Sequence, residues 1–186
     1  MNVSDVLAKP LSEELLTSHI PARFAYTGVD GDPRVIPIGF LWTGSDLKIY
    51  TLPKSAKVKA LEQNPRVAIT IDTEAFPPHV LMIRGSATLE LVDGVPDGYV
   101  EAARKVVPAE QMPGWEAEVR KLYQQMVTVT VTPDWAKLLD FETTLPKAVE
   151  DLVKAYGDPR LPSSCCSPDT TASSVSHRWT SGTRPT

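Results

Sequence analysis

With 186 residues and a hydrophobic fraction of 42%, the chain is long enough for one domain with a real core and too short for two comfortable ones. Its formal charge of −4, with basic residues scattered among acidic ones, argues against nucleic acid as a partner. Asp5, Lys9, Glu13 and Glu14 interrupt the first 18 residues, so neither a signal peptide nor a membrane span is expected, and a soluble cytoplasmic protein is.

The first predicted element is a short helix over 12–18, with Ser12 placed to cap it and Glu13 and Glu14 suited to the positive end of its dipole. Strands follow. Residues 22–29 run into the turn-forming cluster Asp30-Gly31-Asp32-Pro33, and 34–43 form an apolar, β-rich segment ending at Gly44-Ser45-Asp46, so the two read as a hairpin. Residues 47–52 are a third strand. A short helix then begins at Ser55, carries Val58 and Leu61 three apart, and stops before Pro65. Residues 66–73 alternate Val67, Ile69 and Ile71 against Ala68, Thr70 and Asp72; 79–92 form a long strand with Gly85 at a bulge or close approach.

Helical spacing returns in 95–107, through Val100, Ala103 and Val107, and in 115–126, through Val119, Leu122 and Met126. The stretch between them, with Pro108 and Pro113, reads as a loop. Residues 127–132 alternate as a strand that 135–141 continues or flanks, and 145–156 close the domain as an amphipathic helix. The count is six strands with peripheral helices, a mainly β chain whose strands favour a small antiparallel barrel that hides its edges. After Tyr156-Gly157 the composition turns to Pro, Ser, Thr and Arg, so the expected division is a domain over 1–157 and a disordered tail over 158–186. Cys165 and Cys166, adjacent in that tail, build neither a disulfide framework nor a zinc site.

One segment stands apart chemically. Tyr50-Thr51-Leu52-Pro53-Lys54-Ser55-Ala56-Lys57 places two hydroxyls and two lysines between a strand end and a helix start, where backbone N–H groups and the helix dipole favour an anion such as phosphate. The plainer alternative is that Ser55 only caps the helix and the lysines form a solvated face.

Around it lies an ordered set: Gly31-Asp32-Pro33-Arg34-Val35-Ile36-Pro37-Ile38; Lys54-Ser55-Ala56-Lys57 leading into Val58-Lys59-Ala60-Leu61; Asn64-Pro65-Arg66-Val67; and Ile83-Arg84-Gly85-Ser86-Ala87. Over roughly residues 12 to 146 this set resembles the FMN-binding split-barrel superfamily, which includes pyridoxamine 5′-phosphate oxidase and the flavin/deazaflavin-dependent oxidoreductases. The resemblance implies a six-stranded antiparallel split β-barrel of Greek-key type that binds FMN or the deazaflavin coenzyme F-420. It implies that Ser55 and Lys57, with Lys54 and Thr51 nearby, hold the cofactor phosphate, and that Val35, Ile36, Pro37 and Ile38 line the ring. Asp140-Phe141 followed by Leu145-Pro146 is similar to the end of the deazaflavin-binding branch and favours F-420.

The implied activity is hydride transfer by the cofactor to a small organic acceptor, the protein supplying binding, orientation and a dry pocket. No Gly-x-Ser-x-Gly elbow or carboxylate pair suggests other chemistry. Two departures argue against vitamin B6 oxidation: Pro77-Pro78-His79-Val80 stands where the pyridoxamine phosphate oxidases proper carry Arg-Gln, and their Arg-x-His near the C-terminus is missing. A carrier or sensor that binds flavin, deazaflavin or haem without turnover is the alternative, and a plain interaction module the third. A barrel this small encloses only its own side chains, so a tricyclic ring must lie outside it, and a second copy of the chain is the expected cover.

His79 beside two prolines reads as a loop residue, and with no His pair and no ligand spacing among the carboxylates no metal is expected. Of Trp42, Trp115 and Trp135, Trp42 is the best placed for a pocket.

Overall fold

The computed structural model describes residues 2–143 and 147–156. The chain divides into two compact units, Met1–Leu145 and Pro146–Thr186. The described part of the second is one helix, α6 (Lys147–Tyr156), so the expected disordered tail and Leu145-Pro146 lie outside the described residues.

The first unit begins with a helix that the sequence did not announce, α1 (Val3–Leu7), followed by α2 (Pro10–Thr17). Ser12 does not cap α2. The helix starts two residues earlier with Pro10, whose missing N–H costs nothing there, and Ser12 is buried inside it, donating its hydroxyl to the Val6 carbonyl at 2.7 Å. That bond ties α2 to α1.

The sheet has seven antiparallel strands, one more than expected: β1 (Ala22–Thr27), β2 (Pro33–Ile38), β3 (Leu41–Trp42), β4 (Leu47–Thr51), β5 (Arg66–Asp72), β6 (His79–Asp93) and β7 (Gln125–Asp140). The extra strand arises because 34–43 is broken at Gly39-Phe40, where Phe40 turns into the core at 2% exposure. The order is β2-β1-β5-β6-β7-β4-β3, with β2 and β3 at its ends, so the hydrogen-bonded sheet is split rather than closed.

Strict alternation decides which side chains form the core. In β5, Val67, Ile69 and Ile71 point inward, as their period predicts; Ile83, Leu81, Ile49, Val129 and Val131 meet them with Phe24. Burying each such side chain contributes about 1.5–3 kcal/mol. Helix α3 (Ala56–Gln63) seals this core with Val58, Ala60 and Leu61.

β6 and β7 pair along their whole length, from His79↔Asp140 to Asp93↔Gln125. The register shifts at Arg84/Gly85, and a Cβ at Gly85 would collide with the Thr132 carbonyl oxygen, so the glycine is both the bulge and the close approach read from the sequence. Between the two strands lie α4 (Asp97–Ala103) and α5 (Met112–Leu122). Pro113 lies in the first turn of α5, not in a loop, a position that needs no N–H donor. Met126 belongs to β7 rather than to a helix. Val100 of α4 and Val119 of α5 join Val95 and Met126 in a second core, with Tyr50, Tyr99, Trp115 and Tyr123 packed against it. Gly98 of α4 lies so close to the Tyr50 hydroxyl that a methyl group would not fit. Among the described residues no helix is long and apolar enough to cross a membrane.

Candidate functional site

β4 ends at Thr51, which is buried at 8% exposure and paired with Val127 of β7. The chain then makes a tight turn, closed by the Ser55 N–H donating to the Leu52 carbonyl at 3.0 Å, and enters α3 with Ser55 as its extended N-cap residue. The sequence places the cap correctly and its hydrogen bond wrongly. The Ser55 side chain makes no capping bond; its Oγ accepts from Thr51 Oγ1 at 3.1 Å, and Lys57 Nζ donates to the same Thr51 oxygen at 3.0 Å.

The result is a chain of polar groups from an ammonium through one hydroxyl to another. Among the described residues, Ser55 Oγ and Lys57 Nζ have no hydrogen-bond partner besides Thr51 Oγ1. No acidic residue lies in the first turn of α3, and among the described residues no carboxylate comes within ion-pair distance of Lys57. Partial burial pushes the Lys57 pKa below the ordinary lysine value. A half-buried cation, two hydroxyls and a helix N-terminus are groups of the kind that can hold an anion. Lys54, also expected here, is exposed.

The four residues expected at the ring divide by strand alternation. Ile36 and Ile38 pack against the core, whereas Val35 (64% exposed) and Pro37 face outward. Val35 lines a cleft of about 330 Å³ together with Tyr26, Arg34, Arg66 and Arg84. Thr51, Ser55 and Lys57 are not on the walls of that cleft. Arg34 pairs with Asp30; Arg66 grips Asp134 through both terminal nitrogens and also donates to Ser86 Oγ at 3.0 Å; Arg84 stacks 4.4 Å above the Trp135 ring. Arg66 and Arg84 were absent from the expected site. Their signal was in the alternation, since both occupy the outward phase of strands whose inward phase is Val67, Ile69 and Ile83.

Trp42 does border a cavity, of about 420 Å³, together with Val3, Leu7, Glu13 and Pro133. Its indole N–H is buried and has no hydrogen-bond partner among the described residues.

A family model described as pyridoxamine 5′-phosphate oxidase matches residues 9–137. No curated protein matches the chain. Among solved structures, the chain is similar to an F420 reductase, at 24% identity and a TM-score of 0.54 over 67% of this chain and 94% of that one. It is similar to the conserved hypothetical protein Rv2991 from Mycobacterium tuberculosis, at 18% identity and a TM-score of 0.55 over 78% and 94%. A third likeness is to HutZ, the heme storage protein from Vibrio cholerae, at 17% identity and a TM-score of 0.52 over 75% and 94%. At these identities the structures establish a common fold.

Proposed function

Since the chain belongs to the pyridoxamine 5′-phosphate oxidase family, we propose that it is an oxidoreductase that holds FMN or coenzyme F-420 by its phosphate at Thr51, Ser55 and Lys57. The observation that carries this reading is the Lys57–Thr51–Ser55 chain, a charged donor without a carboxylate partner at the start of a helix. A phosphate there would neutralise the half-buried ammonium. Bound, the cofactor would supply hydride transfer to a small organic acceptor. The residues of this chain would fix the phosphate and expose one face of the cofactor to that acceptor.

The deazaflavin is the preferred cofactor of this reading, supported by the similarity of Asp140-Phe141 to the deazaflavin branch and by a fold neighbour named as an F420 reductase. A carrier that binds without turnover is the second reading, and a neighbour named as a heme storage protein is the reason to include haem in its test. Titration of the purified protein with FMN, F-420 and haem side by side, followed by turnover assays with each reduced cofactor, tests both. Binding with no reduction of any acceptor favours the carrier; no binding at micromolar levels sinks both.

The reading includes a homodimer with the cofactor covered at its interface. Outward-facing Val35 and Pro37 on an end strand of the sheet form an apolar strip that a second copy would bury. Light scattering should report twice the chain mass with and without cofactor. A monomer that binds the cofactor tightly contradicts this arrangement.

A further inference from the structure

We propose that His79, Asp140 and Glu142 form a binding site for a divalent transition-metal cation at one end of the β6–β7 ladder. His79 is the first residue of β6 and Asp140 the last of β7, and they stand opposite each other in the register. The turn after β7 brings Glu142 back alongside them: the Glu142 N–H donates to Asp140 Oδ1 at 3.0 Å, and Thr143 Oγ1 donates to Asp140 Oδ2 at 2.5 Å. His79 is held from the other side, its N–H donating to Thr73 Oγ1 at 2.9 Å and its carbonyl accepting from the Thr73 N–H at 3.0 Å.

Three donor atoms therefore converge. His79 Nε2 lies 3.5 Å from Asp140 Oδ1 and 3.7 Å from Glu142 Oε2, and all three atoms lie within 4.8 Å of one another. Nε2 is buried and has no hydrogen-bond partner among the described residues. A buried ring nitrogen facing two carboxylates without bonding either calls for an explanation. The gaps exceed the usual reach of an N–H···O bond, about 2.7–3.2 Å. They suit two donors sharing one cation, since bonds of about 2.0–2.2 Å set neighbouring tetrahedral ligands about 3.4 Å apart.

The chemistry of the donors narrows the ion. Two carboxylates and a neutral imidazole carry a charge of −2, and among the described residues no Lys or Arg comes within ion-pair distance of either carboxylate. A divalent cation balances them. One imidazole with two carboxylates and no sulfur suits the Zn²⁺, Mn²⁺ and Fe²⁺ class over Cu⁺ or Ca²⁺. Three protein ligands leave at least one coordination position for water or an external donor, in the manner of an open site rather than a closed structural one. The Glu142 side chain, 58% exposed, marks the open side.

The test uses the full chain with Cys165→Ser and Cys166→Ser, which removes the tail thiols as competing ligands. After treatment with chelator it is titrated with Co²⁺, read by visible d–d absorption, and with Zn²⁺, read by calorimetry. One cation per chain is expected, with affinity falling at least about tenfold in His79→Gln, Asp140→Asn and Glu142→Gln. Circular dichroism checks each variant's fold. Because the Glu142 side chain faces solvent, Glu142→Gln keeps the test decisive should His79→Gln misfold. No saturable binding, or an unchanged affinity in folded Glu142→Gln, overturns the site.

Discussion

The ammonium of Lys57 donates to the hydroxyl of Thr51 at 3.0 Å, so the two residues act as one polar unit across the join between β4 and α3. Replacing Lys57 with Gln keeps a donor at this place and removes its charge. A charge-assisted contact to phosphate contributes about 1.5–3 kcal/mol, so cofactor affinity is expected to weaken roughly ten- to a hundredfold. Fluorescence titration with FMN and F-420 measures it. An unchanged affinity in a folded variant would place the phosphate elsewhere.

Ser55→Ala separates a structural role from a binding one. Ser55 makes no capping bond, but its Oγ accepts from the buried Thr51 hydroxyl, so the loss of stability should be about 0.5–1.5 kcal/mol, the worth of one ordinary hydrogen bond. Affinity should nevertheless fall severalfold, since a donor to the phosphate is gone. Urea unfolding and titration of the same preparation read the two effects. A large stability loss with normal binding would make Ser55 a purely structural residue.

Cofactor affinity should also depend on pH through Lys57. Burial lowers the Lys57 pKa, so the ammonium loses its proton at a lower pH than an ordinary lysine does. In the proposed reading the phosphate binds the protonated form. Affinity is therefore full below the lowered pKa and declines as pH rises through it, ahead of the ordinary lysine range, and Lys57→Gln should flatten that limb. Parallel titrations of both proteins across the alkaline range would show a shared limb if another group were responsible.

The β6–β7 ladder carries its bulge between Arg84 and Gly85. Gly85→Ala would push a methyl group into the Thr132 carbonyl and is expected to cost about 1–3 kcal/mol, seen as a lower urea midpoint. A midpoint equal to that of the parent would mean that β6 and β7 separate there without penalty.

How much of this was legible depended on the range of the interaction. Val67, Ile69 and Ile71 betrayed both strand and inward face, because a period of two is local. The β4–α3 junction was legible for the same reason, with hydroxyls, lysines and a helix start lying within a few residues. The break at Gly39-Phe40 was not, because an apolar run gives no sign of which residue leaves the ladder to fill a core. Ser55 was misread in its bond because its partner, Thr51, sits on the preceding strand at a distance only the turn geometry fixes. The meeting of His79 with Asp140 depends on the register of two long strands and on a bulge within them, which no spacing in the sequence encodes.

The excursion between β6 and β7 bears on how the molecule assembles. The ladder is interrupted after Asp93 and resumes at Gln125, and its mouth is fastened by the Gly94 N–H donating to the Gln124 carbonyl at 2.7 Å. Closing so long a loop as random chain would cost entropy before any rung repaid it, growing by about 0.6 kcal/mol with each doubling of its length. The small core of Val95, Val100, Val119 and Met126 offers a way around that cost. Helices nucleate locally and faster than strands pair, so an early collapse of α4 and α5 would bring Asp93 and Gln125 within reach of each other. The longest ladder in the molecule can then zip away from a mouth already shut, toward the far rung where His79 meets Asp140.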